Sequence, residues 1–209
     1  MANIYFDFDG TIVNSQTRLY NLFCELCVNN KLSYQQYWEI KRNHVTQKEL
    51  LAEYFAYTEE QISDFHNIWQ QKVEEPERIL RDDFPVEGIA DVLRNLAKNH
   101  KLFIITNRQS IKLTNDEIKS FGWQDIFNDV FVTQQKCTKL ELMQGKINTL
   151  QKNVFVGDTG EDIKTAKAFN AISIGVTYGV MNHDVLNKYL PDFIVNTPKD
   201  LEQILTKRI

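Results

Sequence analysis

From residue 83 to the end of the chain, short apolar runs alternate with helical patterns, and this alternation restricts the possible folds more than any other feature. Runs rich in β-branched and aromatic residues predict strands at 4–6, 101–106, 130–133, 154–156, 172–176 and 193–195. Helical patterns lie between them, at about 85–99, 110–120, 138–150, 161–169, near 185 and at 200–206. Alternating strands and helices form a parallel sheet with helices on both faces. The sequence therefore predicts a doubly wound, Rossmann-like α/β fold.

Residues 15–82 follow a different pattern, which interrupts this α/β core. Apolar side chains recur there at helical spacing, for example at Leu19, Leu22 and Leu26, and no run in the region predicts a strand. We therefore predict two domains, an α/β core formed by 1–14 and 83–209 and an inserted all-helical domain formed by 15–82.

Charge and hydropathy exclude several classes of function. The chain has 209 residues and a net charge of −4, whereas a protein that binds nucleic acid shows a basic excess. No apolar run approaches the roughly 20 residues of a membrane helix, and residues 1–3 lack the basic start of a signal peptide. We therefore expect a cytoplasmic protein, a monomer or a homodimer, with no nucleic-acid partner and no membrane.

Two carboxylates, Asp7 and Asp9, follow the first predicted strand, and Gly10 comes next, where the chain can turn sharply. Such a pair is costly to keep ionised at the end of a buried strand unless a counter-charge is present. A magnesium ion can supply that charge, since hard cations prefer carboxylate oxygen. One carboxylate could also act as a nucleophile while the other gives and takes a proton. The alternative is a strand that ends in an ordinary polar turn.

Further strands end in residues suited to phosphate or metal. The strand at 101–106 ends in Thr106, which is followed by Asn107 and Arg108, and these supply a hydroxyl and donors for phosphate oxygens. An acidic loop at 157–162 follows the strand at 154–156. For Arg108 the alternative is a surface role, and for the others ordinary capping and turns.

Two lysines, Lys136 and Lys139, follow the strand at 130–133. The carboxyl ends of parallel strands share one edge of a sheet, and ligands bind there. We therefore expect one site that combines two acidic loops, a hydroxyl and an amine.

Taken in order, these motifs resemble those of the haloacid dehalogenase superfamily, in its phosphatase branch, along the whole chain. Asp7-Phe8-Asp9-Gly10-Thr11 is similar to the first motif and Ile105-Thr106-Asn107 to the second. Gly157-Asp158-Thr159-Gly160-Glu161-Asp162 is similar to the fourth, in its Gly-Asp-x-x-x-Asp form. The insertion at 15–82 stands where this family has its helical cap.

The resemblance implies a role for each matched residue. Asp7 is the implied nucleophile, Asp9 the general acid and base, and Thr106 a ligand of the transferring phosphoryl group. The implied metal is Mg²⁺, and its ligands are Asp7, Asp158, Asp162 and the backbone carbonyl of Asp9. The substrate-binding residues that we assign are Thr11, Asn107 and Arg108.

The third motif departs from the family pattern. The family usually has a Lys-Pro near the start of the helix before the fourth motif, and here no proline follows a lysine. Lys136 lies 22 residues before Asp158, which is roughly the family spacing, and we prefer it as the catalytic lysine. Lys139 is the alternative.

The implied reaction is hydrolysis of a small phosphorylated metabolite through an aspartyl-phosphate, with a phosphoglycolate-, sugar- or nucleotide-phosphate-like substrate. Two alternatives stay open. A sugar-phosphate mutase of the β-phosphoglucomutase type shares every core motif. A catalytically idle binding protein on the same fold is expected to lack Asp7 or Asp158, and both are present.

Overall fold

The computed structural model describes residues 1–148 and 150–209, and the chain divides into two compact units. One unit comprises Met1–Asn14 and Phe84–Ile209, and the other comprises Ser15–Asp83. Asp83, which we assigned to the α/β core, thus belongs to the helical unit. The helix predicted at 138–150 includes Thr149, which lies outside the described residues.

Strands occur in the first unit at nearly the predicted positions. They are β1 (Asn3–Phe6), β2 (Val13–Asn14), β3 (Phe84–Pro85), β4 (Lys101–Thr106), β5 (Asp129–Val132), β6 (Asn153–Gly157), β7 (Ile172–Val176) and β8 (Phe193–Val195). Within the described residues, six of them form one parallel sheet in the order β5-β4-β1-β6-β7-β8. The short antiparallel pair β2 and β3 is separate, and no sequence pattern indicated it because each strand has two residues.

The helices agree with the predicted periodicity in position but several are shorter. They are α1 (Gln16–Leu26), α2 (Tyr34–Arg42), α3 (Gln47–Phe55), α4 (Glu59–Lys72), α5 (Pro76–Asp82), α6 (Ile89–Ala97), α7 (Ile111–Ser120), α8 (Lys139–Met143), α9 (Gly160–Ala168), α10 (His183–Asn187) and α11 (Pro198–Arg208). None of the helices in the described part of the chain combines the length and apolar character that a membrane crossing requires.

Side chains of the sheet alternate between two apolar layers. Ile4 and Phe6 of β1 pack in a buried cluster with side chains from α6 and α11. Tyr5, between them in sequence, packs in a second cluster with Met143 of α8 and Ala166 of α9. Successive residues of a strand point to opposite faces, so helices cover both faces of the sheet. The predicted doubly wound α/β architecture is confirmed.

The helical unit is held together by aromatic packing and by one buried ion pair. The Phe23 ring packs against Tyr37, Phe55 and Phe65, with ring centroids 4.8, 5.7 and 6.1 Å away. The Arg18 Nε lies 2.8 Å from Asp83 Oδ1, and the two side chains are 2% and 0% exposed. A buried charge is costly without its partner, so the stability of the helical unit should be sensitive to loss of either residue of this pair.

We predict that Arg18→Ala destabilises the protein far more than Lys48→Ala does. Arg18→Ala leaves the carboxylate of Asp83 buried without its guanidinium partner, which costs about 3–5 kcal/mol. Lys48 pairs with Glu59 at 2.8 Å, but the two side chains are 62% and 78% exposed, and such surface pairs contribute about 0–1 kcal/mol. Urea unfolding followed by tryptophan fluorescence measures both variants. Equal shifts of the unfolding midpoint would contradict the prediction.

Candidate active site

The carboxyl ends of three neighbouring strands bring polar residues to one edge of the sheet. β1 lies between β4 and β6. Asp7 follows β1, and its backbone N–H donates to the carbonyl of Val156 on β6 at 2.8 Å. Thr106 is the last residue of β4, and Asp158 follows β6 directly. The convergence expected of a parallel sheet therefore places both acidic loops and the Thr106 hydroxyl at one edge.

Asp7, Asp158 and Asp162 form a buried carboxylate cluster at this edge. Each offers an oxygen within 4.8 Å of those of the other two, and their exposures are 9%, 0% and 4%. Three carboxylate oxygens suit a hard divalent cation such as Mg²⁺. The structure thus brings three predicted metal ligands together, whereas the use of the Asp9 backbone carbonyl stays a prediction.

Glycines make room for Asp158. A Cβ added at Gly10, which has a φ of +81°, would lie 2.2 Å from the Asp158 Oδ2, and one at Gly179 would lie 2.3 Å from its Cβ. The backbone N–H of Val180 donates to Oδ2 at 2.6 Å, and the Thr11 hydroxyl donates to Oδ1 at 3.2 Å. The turn glycine Gly10 was identified from sequence, but Gly179 and Val180 were missed. The only signal for them is a glycine shortly after a predicted strand.

The lysine in this cluster is Lys139. Its Nζ lies 2.7 Å from Asp7 Oδ1 and 2.6 Å from Asp162 Oδ1, and the side chain is buried. Burial lowers the pKa of Lys139, but attraction by Asp162 and Asp7 outweighs burial, so its pKa is raised and the ammonium stays charged.

The structure therefore places Lys139, and not the preferred Lys136, among these carboxylates. Lys136 is exposed, and its Nζ donates to the side chain of Gln134 at 2.7 Å. Lys136 lies in the turn before α8, whereas Lys139 is the first residue of that helix, directly after the capping Thr138. The spacing to Asp158 was a poorer guide than the start of the helix, which the Thr138-x-x-Glu141 capping pattern marks.

The cluster carries more negative charge than Lys139 neutralises. Burial, and then repulsion by Asp162 and Asp158, raise the pKa of Asp7 well above its usual range, although Lys139 opposes this shift. Burial and the neighbouring Asp162 raise the pKa of Asp158 to about 6. When all three carboxylates are ionised, they and the one ammonium leave two negative charges, which equals the charge that one divalent cation neutralises.

The residues after β4 make contacts within the protein. The Thr106 hydroxyl is buried and accepts from the backbone N–H of Arg108 at 3.3 Å. The Asn107 Nδ2 donates to Glu161 Oε2 at 2.7 Å, and its Oδ1 accepts from the Thr133 hydroxyl at 3.2 Å. The roles predicted for Thr11, Thr106 and Asn107 toward a substrate stay predictions.

Arg108 is buried and contacts two carboxylates. Its Nε and Nη2 lie 2.6 and 2.8 Å from the two oxygens of Asp9. Its Nη1 lies 2.9 Å from Glu117 Oε2 on α7, and both of these side chains are 2% exposed. Sequence reasoning missed Glu117. The available signal was its helical spacing from Thr114, which is also buried on the inner face of α7.

We predict that Asp158→Asn stabilises the metal-free protein at pH 8 but not at pH 4. The pKa of Asp158 is raised to about 6 in the folded state, so its ionisation favours the unfolded chain as pH rises from about 4 to 6. Asparagine cannot ionise, and the expected gain in Tm at pH 8 is on the order of 5 °C.

Thermal unfolding in the presence of a chelator measures this difference. Asp116→Asn is the matched control, because Asp116 is 57% exposed in its pair with Lys112. A Tm for Asp158→Asn at or below that of the wild type at pH 8 would contradict the prediction.

A family model and a relative of known name match this chain. A family model described as haloacid dehalogenase-like hydrolase matches residues 4–176. A phosphoglycolate phosphatase of Synechococcus elongatus is 25% identical over 153 residues, which cover 66% of this chain and 70% of that protein.

Solved structures share the whole architecture. A haloacid dehalogenase-like family hydrolase from Streptococcus pneumoniae superposes with a TM-score of 0.78 at 19% identity, covering 96% of each chain. A predicted phosphoglycolate phosphatase from Haemophilus somnus has a TM-score of 0.74 at 21% identity, covering 98% of this chain and 97% of its own. At these identities the structures show the fold, and the family match spans most of the chain. The chain therefore belongs to the haloacid dehalogenase-like hydrolases.

Proposed function

We propose that this hydrolase is a magnesium-dependent phosphatase that acts on a small phosphomonoester through an aspartyl-phosphate intermediate. The observation that carries the proposal is the buried cluster of Asp7, Asp158 and Asp162 with the Lys139 ammonium 2.7 Å from Asp7. An ammonium in this position offsets the charge of a phosphoryl group that approaches an anionic nucleophile. The residues therefore suit phosphoryl transfer to a protein carboxylate.

Asp7, Asp158 and Asp162 are the side chains that would hold the metal. When bound, magnesium neutralises charge on the phosphate oxygens and on the nucleophile. The two negative charges that Lys139 leaves in the cluster favour the binding of such an ion.

In the proposed first step, an Asp7 oxygen attacks phosphorus as the bond to the leaving oxygen breaks, and Asp9 donates a proton to that oxygen. In the second step, Asp9 takes a proton from the water that attacks the phosphorus and releases Asp7. Lys139 and Thr106 stabilise the equatorial oxygens in both steps, as Lys136 was first expected to do.

The proposed substrate is a small phosphorylated metabolite, such as phosphoglycolate, a sugar phosphate or a nucleotide. Phosphoglycolate enters this set because the relative from Synechococcus elongatus is named a phosphoglycolate phosphatase. The helical unit of Ser15–Asp83 is inserted in the chain shortly after Asp9, and we assign substrate selectivity to it as a cap. We further propose a cytoplasmic monomer or homodimer that binds neither nucleic acid nor membrane.

We expect phosphate release from at least one member of a panel in the presence of Mg²⁺ and none in the presence of excess chelator. The panel contains 2-phosphoglycolate, hexose phosphates, nucleoside monophosphates and 4-nitrophenyl phosphate. Asp7→Asn should remove this activity because an amide is a poor nucleophile, whereas the exposed-site variant Asp116→Asn should retain it.

Two results of this assay would contradict the proposal. One is turnover that survives the chelator, and the other is substantial turnover by Asp7→Asn. Conversion of a hexose 1-phosphate to the 6-phosphate without phosphate release would favour the mutase alternative.

We predict that Lys139→Ala and Lys136→Ala differ sharply in kcat. Loss of a contact that stabilises the transferring group costs on the order of 10²–10³ in rate, and this loss is expected for Lys139→Ala. Lys136 is exposed and contacts Gln134, so its variant should stay within about twofold of wild type. Steady-state kinetics on the best substrate of the panel measures both. A collapse of activity in Lys136→Ala alone would reverse the assignment.

A further inference from the structure

Asp9, the proposed general acid and base, is held by an arginine fork. The Arg108 Nε contacts Asp9 Oδ2 at 2.6 Å while its Nη2 contacts Oδ1 at 2.8 Å. A bidentate pair of this kind fixes both the position and the rotation of a carboxylate. Asp9 is 29% exposed whereas Arg108 is 2% exposed. The arginine is therefore a buried support for a carboxylate that reaches the surface of the site.

Arg108 itself is fixed on several sides. Its Nη1 lies 2.9 Å from Glu117 Oε2 on α7. Its guanidinium carbon lies 5.1 Å from the centroid of the Phe8 ring, and its backbone N–H donates to the Thr106 hydroxyl at 3.3 Å. Because a buried guanidinium requires a compensating charge, Glu117 both neutralises Arg108 and anchors it to a helix.

We propose that Arg108 and Glu117 are positioning residues, and that they hold Asp9 in the orientation needed for proton transfer to the leaving oxygen. The inference rests on the proposed phosphatase function. A carboxylate has about four acceptor sites, and the fork uses one on each oxygen of Asp9. A general acid must lie within hydrogen-bond reach of the leaving oxygen. A carboxylate held in one rotation meets that condition for a larger fraction of the time than one that rotates freely.

This role differs from the substrate-binding role that the sequence predicted for Arg108. Three of the five N–H groups of Arg108 donate to Asp9 and Glu117. An arginine that binds the phosphate affects all phosphate esters alike. An arginine that orients Asp9 affects mainly esters with basic leaving groups, because these depend on protonation as the bond breaks.

A series of phenyl phosphates, from 4-nitrophenyl to 4-methoxyphenyl, separates the two roles. We would measure kcat/KM against the basicity of the leaving group for wild type, Arg108→Met, Glu117→Gln and the double variant. Asp9→Asn, which lacks the general acid, should show the steepest fall of kcat/KM with increasing basicity of the leaving group. Asp116→Asn is the control, because Asp116 precedes Glu117 on α7 and is exposed.

Arg108→Met is expected to lose on the order of 10²-fold for the 4-methoxyphenyl ester and less than about threefold for the 4-nitrophenyl ester. Glu117→Gln should also lose more kcat/KM for the 4-methoxyphenyl ester than for the 4-nitrophenyl ester, but by a smaller factor than Arg108→Met. It should have no further effect in the Arg108→Met background, because Glu117 acts through Arg108. The double variant also guards against misfolding, since it removes both buried charges together.

Each other outcome is decisive. Equal losses along the series, or a raised KM alone, would overturn the positioning role while the phosphatase function stands. An additive effect of Glu117→Gln in the double variant would remove Glu117 from the proposal. A wild-type protein that hydrolyses none of these esters and none of the metabolite panel would overturn the phosphatase function, and this inference with it.

Discussion

The repulsion among three buried carboxylates is the constraint on which the site depends. Burial raises the pKa of both Asp7 and Asp158, and the charge of Asp162 adds to the effect. The fold keeps these groups together by giving Asp158 two hydrogen-bond donors and by placing glycines, Gly10 and Gly179, where a side chain would clash with it. Lys139 offsets one charge and leaves the remainder for a cation. The concentrated negative charge that the proposed chemistry requires therefore lowers the free energy of unfolding of the protein.

The two aspartates of the first motif have separate cations, which gives them different environments. Lys139 contacts Asp7 within the buried cluster, while Arg108 contacts Asp9 at a more exposed position. Two neighbouring carboxylates can take different chemical roles when one has different surroundings from the other. Both aspartates follow β1, and Phe8 between them is buried in the core.

The sequence predicted the parts of this structure that follow from periodicity and topology. The bounds of β4, β7 and β8 were correct to the residue, and the meeting of Asp7, Asp158 and Thr106 follows from parallel strands. We preferred Lys136, and the structure places Lys139 beside Asp7 instead, because residue spacing does not show where a helix begins. Glu117 was missed although it lies only nine residues after Arg108, because no sequence pattern links a buried glutamate to a loop arginine.

The most direct measurement is the chemical identification of the phosphorylated residue. Asp9→Asn is expected to slow the second step, so the protein mixed with Mg²⁺ and 4-nitrophenyl phosphate should accumulate a covalent phosphate. Rapid acid quenching and peptide mass spectrometry should locate one phosphate on Asp7, and none when Asp7→Asn is combined with Asp9→Asn. Release of nitrophenolate without label on Asp7, or label on another residue, would contradict nucleophilic catalysis by Asp7.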